Sequence, residues 1–160
     1  MLSLNISDFD LNNKISEIIN NFRLRSKSKN INIINNINSD ITINYDPQRF
    51  TQIVTNIINN SILATDDGGL ISFNTSIDKK NLILEIVDNG TGIPKEELPY
   101  IFDRFYRTDK SRNRQSGGSG LGLSIVKYLI ESHNGTIKIN SELSKGTKVL
   151  ISIKKFNTNL

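Results

Sequence analysis

Two alternating runs, Ile71, Phe73 and Ile77 and then Leu82, Leu84 and Ile86, are separated only by Asp78-Lys79-Lys80-Asn81. They constrain the fold more than any other part of the chain. A period of two puts apolar side chains on one face of a strand, and a short polar turn returns the chain beside itself. Residues 71–86 are therefore expected to form a hairpin with one face that something else must cover. Helical patterns supply the cover. Phe50, Ile53, Val54, Ile57 and Ile58 recur at helical spacing after Asp46-Pro47, which offers an acceptor side chain and then a residue with no N–H to leave unpaired. That helix is predicted to run to about residue 65, ended by Asp66-Asp67-Gly68-Gly69. A second is predicted over 120–132, with Leu121, Ile125, Val126, Leu129 and Ile130 inward, and a third over 9–28, with Asp8 or Asp10 near its start. Short strands are expected around Ile31 and Ile33, around Ile41 and Ile43, and over 136–141 and 148–153, with a short helix at 94–100. Strands paired in sequence and helices gathered apart predict a two-layer α/β sandwich. Its sheet is expected to be mixed and mainly antiparallel, with helices on one face.

The chain has 160 residues, 18.0 kDa and 36% hydrophobic content, which predicts a single domain over 1–160 with a core at about 9–153. The absence of cysteine excludes disulfides and thiolate metal sites and fits a reducing compartment. One histidine, His133, cannot build a multi-histidine metal centre. No apolar run approaches the roughly 20 residues of a membrane span, and no secretion signal opens the chain, so it reads as soluble, without membrane contact of its own. The net charge of +4 and pI near 9.3 raise the possibility of a nucleic-acid partner. Yet the cations are dispersed except for Arg104, Arg107, Lys110, Arg112 and Arg114, and no basic strand interleaved with aromatics accompanies them, so no nucleic acid is expected. That cluster falls in a polar stretch without periodicity, about 102–118, of the length that functional lids have. Asparagine is abundant throughout, which weakens the meaning of any single one.

Three separated pieces carry chemistry. On the helix after Pro47, Gln52, Asn56 and Asn60 lie four apart and make one polar stripe. An Asn oxygen is a neutral hard ligand suited to Mg²⁺ that draws the rest of its shell from water and phosphate. A chance asparagine face is the bland alternative. Asp88 ends an apolar strand ahead of Asn89-Gly90-Thr91-Gly92-Ile93, whose glycines permit positive φ and close backbone approach. A carboxylate buried there needs a donor, and the adenine amine is one, whereas guanine would oppose it acceptor to acceptor. Leaving that site unpaired costs roughly 1–3 kcal/mol, enough to prefer ATP over GTP by about tenfold to a hundredfold. An ordinary Asx or hairpin turn is the alternative. The third piece, Gly117-Gly118-Ser119-Gly120-Leu121-Gly122-Leu123, opens a helix, so that backbone N–H groups and the positive helix end face an anion. Its spacing is that of neither a Rossmann nor a P-loop motif. Together the pieces read as a site for adenine, a divalent metal and a triphosphate.

In this order the pieces resemble the catalytic and ATP-binding domain of bacterial sensor histidine kinases, in the superfamily that also holds gyrase, Hsp90 and MutL. Residues 52–60 resemble its N box, 88–94 its first glycine box, 101–107 its F box and 118–127 its second glycine box, and the likeness spans about 9–153. The resemblance implies the Bergerat-type sandwich with an ATP lid at about 102–118. It implies Asn60 as Mg²⁺ ligand, Asn56 as a helper to metal and phosphate, and Asp88 on adenine N6. Gly90, Gly92 and Ile93 would line the nucleotide, Arg104 and Arg107 would reach the phosphates from the lid, and Gly118, Ser119, Gly120, Leu121, Gly122 and Leu123 would wrap them. ATP and Mg²⁺ are the implied ligands.

The chain departs from the family pattern at Leu63 and Ala64, where members often carry Lys or Arg and then an aromatic or His, so that one phosphate contact and one ring are missing. No His-Glu-x-x-Thr-Pro type phosphoacceptor segment is present, and His133 is read as structural. The acceptor histidine is thus expected on a separate dimerisation/phosphoacceptor domain, N-terminal to this one together with a membrane segment and a sensor. This piece alone, a monomer, is not expected to be competent. A cognate response regulator is the further partner, and the location is the cytoplasmic side of an inner-membrane sensor. A gyrase- or Hsp90-like ATPase fits less well, because Asn56 stands where such enzymes place a Glu. An anti-sigma serine kinase and a degenerate nucleotide sensor complete the alternatives.

Overall fold

A computed structural model describes residues 3–107 and 119–158. Its elements run β1 (Ser7–Asp10), α1 (Leu11–Asn21), α2 (Arg23–Ser28), β2 (Asn32–Asn35), β3 (Ile41–Tyr45), α3 (Pro47–Ala64), β4 (Leu70–Asp78) and β5 (Asn81–Asp88). A 3-10 turn (Leu98–Tyr100) follows, then α4 (Gly122–Ser132), β6 (Thr136–Glu142), β7 (Gly146–Ile153) and β8 (Phe156–Thr158). The predicted hairpin is β4 and β5, antiparallel, with Phe73 opposite Ile86 and Thr75 opposite Leu84. It sits inside a five-stranded sheet of order β2-β4-β5-β7-β6, in which only the β2–β4 pairing is parallel. On β5, Leu82, Leu84 and Ile86 are at most 1% exposed, while the alternate positions are half-buried. Each such aliphatic contributes roughly 1.5–3 kcal/mol of burial.

The covering layer follows from α3. Phe50, Ile53, Val54, Ile57, Ile58 and Ile62 are all buried, so one stripe of the helix faces the core and the opposite stripe stays polar. Asp46 caps its first turn, accepting from the backbone N–H groups of Gln48 and Arg49 at 3.0 and 3.1 Å. Helix α4 packs alongside with Val126, Leu129 and Ile130 buried. The helical layer lies on one face of the sheet, as predicted.

Three expectations change. Residues 9–28 do not form one helix. Phe9 pairs with Ile43 in β1, Asp10 caps α1 by accepting from Asn13 N–H, and at Phe22 the backbone (φ −99°, ψ 2°) breaks α1 from α2 after two asparagines of poor helix propensity. The strands at 32–35 and 41–45 are both present but belong to different sheets. β2 lies parallel to β4, with Ile33 beside Ile71, and β3 centres a three-stranded sheet of order β1-β3-β8. Finally, Phe156, past the expected core limit at about residue 153, pairs with Ile43 in β8. Most of the expected lid, with Lys110, Arg112, Arg114, Gly117 and Gly118, lies outside the described residues.

Candidate functional site

Alternation along β5 carries past Ile86 to Asp88, which falls on the core face and is 5% exposed. Its carboxylate is held from two elements. Oδ2 accepts from Ser61 Oγ of α3 at 3.0 Å and Oδ1 from Gly90 N–H at 2.9 Å. Burial pushes its pKa up, while hydrogen bonds from Gly90, Ser61 and the backbone of Thr147 on β7 pull the other way. A carboxylate has about four acceptor positions, so these three donors leave one for a ligand. Ser61 was not among the residues singled out by the sequence. Its signal was a polar side chain at a core position, four after Ile57 and three after Ile58.

The loop after Asp88 is clamped on both sides. Thr91 N–H donates to Ala64 O at 2.9 Å, and Ile93 N–H to Ser141 Oγ at 2.8 Å. A Cβ on Gly90 would lie 2.5 Å from Ala64 O, and one on Gly92, whose φ is +70°, 2.0 Å from Glu142 O. Both positions need glycine because backbone packs on backbone. Ala64 is thus where the loop docks on the end of α3. Lys29 closes the same end, its Nζ donating to Ile62 O and Thr65 O at 2.6 and 2.7 Å.

Asn60 directly precedes Ser61 and is exposed; Asn56, one turn earlier, is half-buried. The first residue of α4 abuts this stripe, since a Cβ on Gly122 would lie 3.9 Å from Asn56 Oδ1. Whereas α1 and α3 are capped by Asp10 and Asp46, no side chain caps α4 behind Leu121, so its first N–H groups remain available. Gly120 (φ +74°) packs on Phe105, whose N–H donates to Gly120 O at 3.0 Å. Residues 105 and 120 therefore form a backbone pinch. Ser119 is exposed, Leu121 and Leu123 are half-buried, and on the near side of the pinch Arg104 is exposed and Arg107 half-buried. Asp88 and the loop after it thus meet the end of α3 at Ser61 and Ala64, and the start of α4 meets the same helix at Asn56.

Among the described residues no group of three or more His, Asp or Glu side chains stands ready to hold a metal. The donor set is neutral amide oxygen beside uncapped N–H groups, which fits Mg²⁺ arriving with phosphate and not a cation caged by protein alone. His133 is elsewhere. Its Nδ1 bonds Leu129 O at 2.7 Å, its Nε2 accepts from Asp46 N–H at 3.3 Å, and its ring stacks on Tyr45 with centroids 3.6 Å apart. Burial lowers its pKa, against the Leu129 contact and the Asp46 charge. Burial also pushes the Asp46 carboxyl up, but N–H groups of Asn5, Arg49 and Gln48 and the Arg49 charge bring it below its usual value.

A mixed sheet layered with helices, a buried carboxylate at a strand end and a glycine-led uncapped helix beside an asparagine stripe define an ATPase-type nucleotide domain. The chain belongs to the histidine kinase-, DNA gyrase B-, and HSP90-like ATPase family, whose profile matches residues 45–157. Within that family, its relatives include sensor histidine kinases. It is 35% identical over 142 residues to the sensor histidine kinase WalK of Bacillus subtilis, covering 87% of this chain and 23% of WalK. The chain thus spans about a quarter of the length of the curated relatives it matches. The catalytic domain of histidine kinase ThkA superposes with a TM-score of 0.83 at 28% identity, over 95% of this chain and 97% of that one. ThkA is also known in complex with the response regulator TrrA, with a TM-score of 0.77 at 27% identity over 94% of this chain and 42% of that one. Full-length ShkA in complex with AMPPNP gives 0.85 at 26% identity, over 98% of this chain and 32% of that one.

Proposed function

We propose that this chain binds Mg-ATP and passes the γ-phosphate to a histidine on a separate dimerisation/phosphoacceptor domain, from which a cognate response regulator receives it. The observation that carries this reading is Asp88: a carboxylate buried on the core face, tied to the residue after Asn60, with acceptor capacity left for a purine amine. Asn60, helped by Asn56, would hold the Mg²⁺, which when bound neutralises phosphate charge. The N–H groups at the uncapped start of α4 suit the phosphates, with the Leu121 N–H turned to Ser119 Oγ at 3.4 Å, and Arg104 and Arg107 approach from the lid base. Gly90, Gly92 and Ile93 keep the loop against the nucleotide.

Phosphoryl transfer is mostly positioning and charge neutralisation. An incoming imidazole nitrogen forms a bond to the γ-phosphorus as the bond to the β-bridging oxygen breaks, and ADP departs with the electron pair. His133 is not that acceptor, because both its ring nitrogens are engaged inside the fold. Among the described residues no helix is long and apolar enough to cross a membrane. We place the chain on the cytoplasmic side of a membrane sensor. The test is calorimetry of the wild type and Asn60→Ala with Mg-ATP and Mg-GTP, followed by transfer of labelled phosphate to a dimerisation/phosphoacceptor domain supplied separately. Preference for ATP, loss of that binding in Asn60→Ala and label on the histidine of that domain are expected. Equal heats for both nucleotides, or ATP binding without transfer, would refute the reading.

A further inference from the structure

A triphosphate brings three to four negative charges, yet α3 meets it with amides. The helix holds a single charged residue, Arg49, whose Nη1 donates to Gln52 Oε1 at 3.2 Å and which lies seven residues, about 10 Å along the axis, before Asn56. Lys29 is committed to the carbonyls at the helix end. Among the described residues a further cation reaches α3 from outside, beside the polar stripe: Arg25 of α2, whose Nη1 donates to Asn59 Oδ1 and whose guanidinium sits 6.0 Å from the Phe22 ring centroid.

The placement of Asn59 gives this contact its meaning. At about 100° per residue, and measured from Asn59, Leu63 lies near 40°, Asn56 near 60°, Asn60 near 100°, Ala64 near 140° and Ser61 near 200°. Ser61 holds Asp88, Ala64 holds the loop that follows it, and Asn56 faces the start of α4. A nucleotide with its base at Asp88 and its phosphates toward Asn56 and the start of α4 would follow this arc toward the Asn59 edge. That edge is where Arg25 stands, exposed, with N–H donors to spare.

We infer that Arg25 is a nucleotide-binding residue that contacts the terminal phosphate of ATP, with Asn59 as the residue that positions its guanidinium. This rests on the reading of the site as an ATP site and names a cation that Leu63 does not supply. The test is calorimetry on the whole chain with Mg-ATP and Mg-ADP for the wild type, Arg25→Ala, Arg25→Lys and Asn59→Ala, with melting temperatures measured alongside. Arg25→Ala is expected to weaken ATP by about tenfold to a hundredfold, the size of one charge-assisted contact to phosphate, and to leave ADP unchanged. Arg25→Lys restores part of the loss, and Asn59→Ala loses less than Arg25→Ala. An unchanged ratio of ATP to ADP affinity in Arg25→Ala overturns the inference while leaving the ATP site intact, as does equal weakening of both nucleotides with a lowered melting temperature. A wild type that binds neither nucleotide overturns this inference and the ATP reading together.

Discussion

Replacing Asp88 by Asn separates a ligand-binding carboxylate from a structural one, because the two roles predict opposite changes in stability. The amide has the same shape. Its oxygen accepts from Gly90 N–H as Oδ1 does, and its NH₂ donates to Ser61 Oγ, which turns from donor to acceptor, so two of the three hydrogen bonds survive and the third, from Thr147 N–H, is kept only at the amide oxygen. What is lost is charge. Burial raises the Asp88 pKa above its ordinary 3.8, so the folded chain holds that proton more tightly than the unfolded one. The ionised carboxylate consequently lowers stability at neutral pH, and the cost vanishes as pH falls through the folded value. Asp88→Asn removes that cost. Its melting temperature is expected to hold or rise, by about 2–4 °C for each kcal/mol regained. ATP affinity moves the other way. A purine amine facing a neutral amide forfeits a charge-assisted hydrogen bond worth about 1.5–3 kcal/mol, a weakening of roughly ten- to a hundredfold. Thermal unfolding and Mg-ATP calorimetry on the same preparation read both effects. A protein that melts several degrees lower and binds ATP as tightly as before would show that the carboxylate serves the fold.

Gly92→Ala should destabilise by more than about 2 kcal/mol, since φ is +70° and the new methyl would lie 2.0 Å from Glu142 O; urea unfolding measures it, and a neutral result would mean that the clamp on the loop is loose. Asp46→Ala removes the acceptor for three backbone N–H groups, including that of Asn5 at 2.9 Å, and should cost about 1–2 kcal/mol at neutral pH. Because that carboxyl titrates below its usual 3.8 when folded, the difference between variant and wild type should shrink as pH falls through the folded value, which acid unfolding curves would reveal. His133→Phe keeps a ring against Tyr45 but loses both nitrogen contacts. The folded imidazole titrates below its ordinary 6.5, so wild-type stability should decline as pH drops from that value, and a variant with the same slope would exclude His133 as its source.

The parts of the fold that the sequence announced are those whose causes are local. Hairpin β4–β5 is fixed by a period of two and a polar turn, and α3 by Asp46-Pro47 and an apolar stripe, so both could be read along the chain. The parallel partnership of β2 with β4 could not, because nothing near Ile33 specifies Ile71 as its neighbour. Strands of three or four residues, such as β1 and β8, are too short for periodicity to register, and an apolar Phe9 reads equally well as the start of a helix. The same division runs through the site. Asp88, Asn56 and Gly122 belong to recognisable local patterns, whereas Ser61 and Thr147 matter through hydrogen bonds to a carboxylate on another element. Ser61 was nonetheless detectable as the one hydroxyl in the buried stripe of α3.

The engagement of His133 has a practical consequence for biochemistry on this chain. Its sole imidazole is locked between Leu129 and Asp46, leaving neither nitrogen as a nucleophile. Phosphohistidine that appears when the chain is incubated with another protein is thus expected on that other protein, with His133→Phe as the control. As the phosphoryl donor proposed above, the domain would have a silent background, suited to screening candidate acceptors one at a time.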